Sequence, residues 1–134
     1  MSVFLGIDWG GTYIKAGLVN SQGEIIRSMV YTSADLRKKK VFIKKLKSLV
    51  KELSTFKIKG VGIGAPGIIN RDKGFIYYLP NIPGWKNFPL GSVLKKELKI
   101  PVFIDNDANI FALAESHYGA ASGLSRAIFL TLGT

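Results

Sequence analysis

The 134-residue sequence predicts an α/β domain built on a mixed sheet, and three observations predict it. Three short apolar segments open the chain at 3–7, 13–19 and 24–31, and turn residues separate them, which is typical of an antiparallel meander. Further strands then alternate with helical periodicity, which implies parallel neighbours. A hydrophobic content of 47% in one chain of this length is enough to bury a sizeable core.

A basic helix is predicted after the meander. Apolar residues recur there at the spacing of one helix face, at Phe42, Leu46, Leu49, Val50 and Leu53. Ser33 or Asp35 is the expected N-cap. Residues 36–59 carry ten of the 19 basic residues and one acid, so this segment supplies most of the net charge of +10. We interpret it as a solvated helix face. Nucleic-acid binding is the alternative, but no aromatic residues interleave with the lysines as a stacking platform requires.

The second half of the chain is predicted to continue with helices and parallel strands. The expected elements are a buried strand at 60–63, a long loop over 65–91 with a hairpin around 75–78, a helix at 90–98, the strand "PVFID", a helix at 107–118 and a last strand, "AIFLTL", at 127–132. The predicted order is therefore βββαβαβαβ. Loops as long as 65–91 inside compact domains are often functional.

Composition excludes several classes of protein. The sequence has no cysteine, which removes disulfides, thiolate metal sites and a cysteine nucleophile within this chain. Its apolar runs are shorter than the ~18 residues of a membrane span, and no basic region precedes the first one as in a secretory signal. A cytoplasmic location is the expectation. The single histidine, His117, has no recognisable serine partner, so a hydrolase triad has no support.

Polar and glycine residues are concentrated where four predicted strands end. The four segments are 8–12 (DWGGT), 64–67 (GAPG), 105–107 (DND) and 131–134 (TLGT). In open α/β sheets, ligands bind outside the carboxyl ends of the strands. We therefore expect these four segments to form one site.

The first segment has the chemistry of an anion-binding loop. Gly10 and Gly11 let backbone N–H groups approach an anion closely, Thr12 adds a hydroxyl donor and Lys15 adds positive charge. An acid beside a phosphate repels it unless a cation lies between them, so Asp8 is expected to contact Mg²⁺. A plain hairpin turn with a capping aspartate is the alternative, because this pattern is short and no helix follows it.

The third segment has the chemistry of an acid–base site. Asp107 is expected at the start of a helix, where the helix dipole favours a carboxylate that can accept a proton from a substrate hydroxyl. Asn106 can donate to and accept from the same polyol. Simple N-capping by Asp107 is the alternative that the spacing leaves open.

The chain resembles the ROK family of sugar kinases and sugar-responsive repressors. The resemblance is carried by "GIDWGGTYIKAGLV", "GVGIGAPG", "LPNIPGW", "PLGSVLKKEL", "PVFIDNDANIFALAE" and "LTLGT", which occur in the family's order and spacing. It implies the fold of one lobe of the actin/hexokinase (ribonuclease H-like) ATPase superfamily.

The resemblance also implies roles for individual residues. The first phosphate loop would comprise Asp8, Gly10, Gly11 and Thr12 with Lys15 close behind, the second would begin with Thr131, Gly133 and Thr134, and the sugar would contact Gly67, Asn81, Asn106 and Asp107. Asp107 would be the catalytic base. The implied partners are a hexose, ATP and Mg²⁺ bound through Asp8, with no membrane, and the full-length protein would be a homo-oligomer.

The sequence departs from the family pattern after "LTLGT". The family continues into a second lobe with an ExGH sugar motif, a zinc site and the adenine pocket, and none of these lies in this chain. We therefore expect residues 1–134 to be an N-terminal lobe that does not turn over alone. The first strand begins at Val3 without a preceding helix-turn-helix, which favours a kinase, most simply a glucokinase. A fructokinase, an N-acetylhexosamine kinase and a non-catalytic sugar sensor are the alternatives.

Overall fold

The structure, a computed structural model, describes residues 2–132 as one main sheet, a small second sheet and flanking helices. The strands are β1 (Ser2–Trp9), β2 (Tyr13–Asn20), β3 (Ile25–Thr32), β4 (Lys57–Ala65), β5 (Ile68–Asn70), β6 (Phe75–Tyr78), β7 (Lys86–Phe88) and β8 (Val102–Asn106). The helices are α1 (Lys39–Glu52), α2 (Leu90–Leu98) and α3 (Asp107–Tyr118), and a 3₁₀ turn precedes α1 at Ser33–Leu36. Among these described residues, no helix is both long and apolar enough to cross a membrane.

The main sheet confirms the predicted mixed α/β fold. Its strand order is β3-β2-β1-β4-β8, with β2 and β3 antiparallel and with β1, β4 and β8 parallel. The β2–β3 turn forms where the sequence predicts it. There the Asn20 side-chain oxygen accepts hydrogen bonds from the amides of Gln22 and Glu24 at 3.0 and 2.9 Å, and Gly23 adopts a φ of 84°.

One face of the main sheet carries the core. Alternate residues of β1 point into it and are at most 4% exposed: Val3, Leu5, Ile7 and Trp9. Helix α1 covers this face with Phe42, Leu46 and Leu49, and α2 adds Leu90 and Leu94. Buried side chains recur every second residue along the strands and about every 3.6 residues along the helices. Both helices therefore pack their apolar sides on this side of the sheet.

The opposite face is glycine-rich and only partly covered. Gly64 faces α3, and a Cβ added to it would lie 3.4 Å from the Cα of Asp107 and 3.6 Å from Cδ1 of Ile110. At its far end, α3 reaches the β2–β3 turn, where the Tyr118 ring packs on Gly23. No residue of α3 is buried. Helix α3 therefore contacts this face but stays partly exposed to solvent along its length.

Three details differ from the sequence-based expectations. The predicted last strand at 127–132 is wrong, because the segment pairs with no strand of the described structure and Ile128 is 92% exposed. The predicted N-cap of α1 is also wrong: Lys38 occupies that position with no side-chain capping bond, since the 3₁₀ turn intervenes. The loop over 65–91 contains the predicted hairpin, extended by β7 into a three-stranded sheet.

Candidate active site

The ends of the three parallel strands meet at one edge of the main sheet. In the register of the sheet, Asp8 at the end of β1 lies opposite Gly64 of β4, and Gly64 lies opposite Asp105 of β8. The loops that follow these strands therefore emerge side by side. This is the convergence that the sequence predicts for three of the four polar segments.

A backbone hydrogen bond forms a turn in the loop after β1. The amide of Gly10 donates to the Tyr13 carbonyl at 2.9 Å, and a Cβ at Gly10 would lie 2.7 Å from that same oxygen. Gly11 faces open space, since nothing lies within 4 Å of a Cβ added there. Gly10 is thus required by the turn, whereas the surroundings of Gly11 leave room for an approaching anion. Thr12 is exposed in the same loop.

A serine from the next segment fixes this loop. Ser33, only 2% exposed, donates from its hydroxyl to the Gly10 carbonyl at 2.6 Å, and its amide donates to the Thr12 carbonyl at 2.9 Å. Local sequence did not predict this role, since Ser33 was expected to cap a helix. Its position just after β3, which returns beside the loop in the meander, is the one available signal.

Asp8 and Lys15 lie opposite each other in the β1–β2 pair and point to the glycine-rich face. Within the described residues, the Asp8 carboxylate has neither an ion pair nor a hydrogen-bond partner. Mg²⁺ is commonly held by one or two carboxylates, substrate phosphates and water, so a lone accessible carboxylate beside an anion-binding loop fits this ion. In residues 2–132, no group of three or more histidine, aspartate or glutamate residues could hold a metal by itself.

The polar side chains at the start of α3 make hydrogen bonds to nearby backbone and side-chain groups. Asp105 accepts from the Asn106 amide at 2.7 Å and from the Asn109 side chain at 3.0 Å. Asn106 is the N-cap: its oxygen accepts from the amides of Ala108 and Asn109 at 2.9 and 3.4 Å. Asp107 Oδ1 accepts from the Ala108 amide at 2.9 Å. Asn106 therefore caps the helix. Asp107 is half-buried at the first helical position.

A cavity of about 660 Å³ joins the two aspartates. Asp8, Lys15, Gly64 and Asp107 contribute to its walls, and apolar residues of β3 and α3 complete it: Ile25, Met29, Val30, Ile110 and Phe111. The two carboxylates therefore lie on the same face of the sheet, separated by a strand that carries no side chain at Gly64. A second cavity of about 770 Å³ lies between α1 and α2 and contains neither aspartate.

The predicted sugar-contacting residues are linked to this edge by backbone and amide contacts. Asn106 Nδ2 donates to the Gly67 carbonyl at 3.1 Å. A Cβ at Gly67 would collide with the Tyr78 carbonyl oxygen, so only glycine allows this close approach. Asn81 lies just beyond Tyr78 on an exposed turn and does not line the cavity.

The fourth polar segment is not brought to the site in the described part of the chain. Thr131 is exposed on irregular backbone and does not line the cavity, so its predicted place beside the other three segments stays a prediction. Gly133 and Thr134 lie outside the described residues. Within residues 2–132, β8 is the outermost strand of the main sheet, and the 127–132 segment does not pair with it.

Known proteins are similar to this chain in both sequence and fold. A glucokinase from Halalkalibacterium halodurans is 40% identical over 98% of this chain and 41% of that protein. A xylose repressor from Caldicellulosiruptor bescii is 38% identical over 96% of this chain and 34% of that protein. The structure of a ROK family glucokinase from Streptomyces griseus in complex with glucose and AMPPNP superposes with a TM-score of 0.79 at 30% identity, over 90% of this chain and 38% of that one.

The chain spans between a third and about two fifths of the lengths of these relatives. Kinases and repressors both occur among them, so the shared sequence defines a family rather than one activity. The model of the ROK family matches residues 4–134, the region that contains every motif of the sequence analysis. The chain belongs to the ROK family.

Proposed function

We propose that this chain is the N-terminal lobe of an ATP-dependent hexose kinase, with glucose as the preferred substrate. The observation that carries the proposal is that Asp8 and Asp107 line one cavity, because a kinase would need one carboxylate near Mg²⁺ and another to accept a proton. The glucokinases among the relatives support the same reading. An ATP-dependent enzyme acts where ATP is available, so the proposal includes a cytoplasmic location.

Asp107 is the proposed base. The sugar hydroxyl attacks the γ-phosphorus of ATP, the bond from that phosphorus to the bridging oxygen of ADP breaks, and the hydroxyl proton passes to Asp107. One oxygen of this carboxylate is oriented by the Ala108 amide at 2.9 Å. Phosphoryl transfer depends mainly on positioning and on charge stabilisation, so a carboxylate of ordinary basicity is sufficient.

The sugar itself is proposed to contact Gly67, Asn81 and Asn106. The Asn106 side chain uses its oxygen and one N–H inside the protein, which leaves its second N–H for a sugar hydroxyl. Gly67 contributes backbone groups beside it. Asn81 lies on the exposed turn, where its amide is accessible to a ligand.

The phosphates are proposed to bind at the loop of Gly10, Gly11 and Thr12, with Lys15 supplying positive charge. The open space at Gly11 and the two hydrogen bonds from Ser33 support a preformed backbone cradle. Mg²⁺ held by Asp8 would neutralise charge on the phosphates. Thr131, Gly133 and Thr134 are proposed to join the phosphates only when the remainder of a full-length protein is present.

The second candidate function is sugar sensing without catalysis, which the xylose repressor among the relatives favours. Both functions bind a sugar at the same edge of the sheet, but only a kinase needs Asp107 to remove a proton. Among kinases, a fructokinase and an N-acetylhexosamine kinase are the alternatives to a glucokinase, because they would use the same chemistry on a different sugar.

The decisive experiment is a coupled ADP-release assay of the full-length gene product against a panel of hexoses. We expect turnover with glucose, and we expect Asp107→Asn to lower kcat by about 10²- to 10⁴-fold, the range of general-base catalysis. Calorimetry should show that this variant still binds the sugar.

Asp72→Asn is the matched control, because its carboxylate is 88% exposed on the β5–β6 turn. It should retain wild-type kcat. Full activity of Asp107→Asn would refute the base assignment, and absence of turnover with every hexose alongside tight sugar binding would favour the sensor. The residues of this chain expressed alone should show no turnover.

A further inference from the structure

Four aromatic rings form a cluster beneath the candidate site. The Trp9 ring stacks on Phe42 with centroids 4.1 Å apart and an interplanar angle of 14°. Trp85 meets the edge of Trp9 at 4.6 Å and of Phe88 at 5.6 Å, both nearly perpendicular. We call Trp9, Phe42, Trp85 and Phe88 the aromatic cluster.

Trp85 is fixed at both its ring and its backbone. Its Nε1 donates to the Arg37 carbonyl at 2.7 Å, and its own carbonyl accepts from the Leu79 amide at 3.1 Å. The second bond closes the loop 79–85, which contains Asn81. Trp85 thus joins the end of this loop to the backbone of Arg37.

Trp9 is held differently. It directly follows Asp8 and precedes Gly10, yet its Nε1, although buried, has no hydrogen-bond partner within residues 2–132. Its ring stacks on Phe42 and lies nearly perpendicular to Trp85. Trp85 therefore contacts the residue that directly follows Asp8.

The loop 79–85 is also connected to the start of α3. Gly67 packs against the Tyr78 carbonyl and Leu79, and the Gly67 carbonyl accepts from Asn106 Nδ2 at 3.1 Å. Asn106 caps the helix on which Asp107 stands. One continuous set of contacts thus runs from Asn106 through Gly67 and the 79–85 loop to Trp85, and from there to Trp9 beside Asp8.

We propose that Trp85 is a positioning residue that couples the Asn81 loop to the Asp8 loop, so that hexose binding orders the phosphate-binding loop. This inference rests on the proposed function, because it takes Asn81 and Gly67 as sugar contacts. The coupling acts through the Nε1 bond to Arg37 and the edge contact with Trp9. Removing either weakens the connection between the two loops, while the backbone bond between Leu79 and Trp85 remains.

The test uses the full-length protein and the variant Trp85→Phe. This change removes the Nε1–H and shortens the ring. We expect the hexose KM to rise about 3- to 10-fold, as the loss of one net hydrogen bond implies, while kcat stays within about twofold. A purely structural role would instead reduce the amount of folded enzyme, which lowers apparent kcat and leaves KM unchanged.

Phe88→Leu is the matched control. The Phe88 ring lies 5.6 Å from that of Trp85 and, within the described residues, forms no ring pair with Trp9; the bond that closes the 79–85 loop joins Leu79 and Trp85. Its hexose KM should equal that of the wild type. An unchanged KM in Trp85→Phe, or an equal rise in both variants, would overturn the inference.

Hydrogen exchange of the wild-type protein provides a measurement that needs no variant. Glucose alone should slow amide exchange both in the 79–85 loop and in residues 9–13, where Gly10 donates to Tyr13. Slowing confined to 79–85 would refute the coupling even if the kinase activity is present. A wild type that neither binds nor phosphorylates any hexose would instead refute the proposed function, and this inference with it.

Discussion

The two faces of the main sheet are built in opposite ways. On the packed face, alternate β1 side chains from Val3 to Trp9 are almost completely buried under α1 and α2. On the open face, the corresponding positions of the central strands include Gly6, Gly17, Gly62 and Gly64 together with Asp8 and Lys15, and α3 covers them without a buried residue of its own. The same strands supply both faces, since successive side chains point to opposite sides.

This difference separates stability from binding. Large buried side chains stabilise the packed face by roughly 1.5–3 kcal/mol each, whereas glycines contribute little hydrophobic energy and lose more backbone entropy on folding. What the glycines provide is space, both for the close approach of α3 at Gly64 and for the cavity between the two aspartates. Substitutions on the two faces should therefore have different consequences.

The largest expected contrast comes from one substitution made on each side. Leu49 of α1 is 1% exposed and Leu113 of α3 is 60% exposed. Leu49→Ala should lower the free energy of unfolding by about 2–5 kcal/mol, because it leaves a cavity in the core. Leu113→Ala should change it by less than about 0.5 kcal/mol. Urea unfolding followed by circular dichroism measures both, and equal losses would show that α3 is packed as tightly as α1.

A smaller contrast is expected within the candidate phosphate loop. Gly10→Ala would force a methyl group to 2.7 Å from the Tyr13 carbonyl, and overpacking of this kind costs about 1–3 kcal/mol. Gly11→Ala meets no atom within 4 Å, so the free energy of unfolding should hardly change. If the loop binds phosphates as proposed, Gly11→Ala should instead raise the KM for ATP several-fold. A Gly11 variant with normal ATP kinetics would remove this loop from the binding site.

Local signals explain how much of the fold could be predicted from the sequence. The bounds of α2 and α3 agree with the prediction because Pro89, the Asp105–Asp107 run and Gly119 mark helix ends within the chain itself. The convergence of Asp8 and Asp107 also follows from a general rule, since the carboxyl ends of neighbouring parallel strands share an edge.

The failures have a common physical origin in long-range contacts. Residues 127–132 form a short apolar run typical of a buried strand, but a strand requires a partner, and local sequence does not identify one. Serine is a residue type that commonly caps helices, yet the Ser33 hydroxyl donates to the carbonyl of Gly10, 23 residues earlier in the chain. The link from Asn106 to Gly67 spans 39 residues and is equally invisible to local patterns.

The smallest expected effect concerns charge on the packed side. Lys47 of α1 and Glu97 of α2 form an exposed ion pair at 2.6 Å, and the hydrogen bond from Lys47 holds the pKa of Glu97 below its usual value. A depressed pKa stabilises the folded state above the unfolded pKa, and this contribution is lost as pH falls through the folded pKa. Glu97→Gln should therefore be slightly less stable than the wild type at about pH 7 and indistinguishable from it at about pH 3. Urea midpoints at the two pH values measure this, and a large loss at neutral pH would mean that ion pairing, and not apolar burial alone, holds α1 against α2.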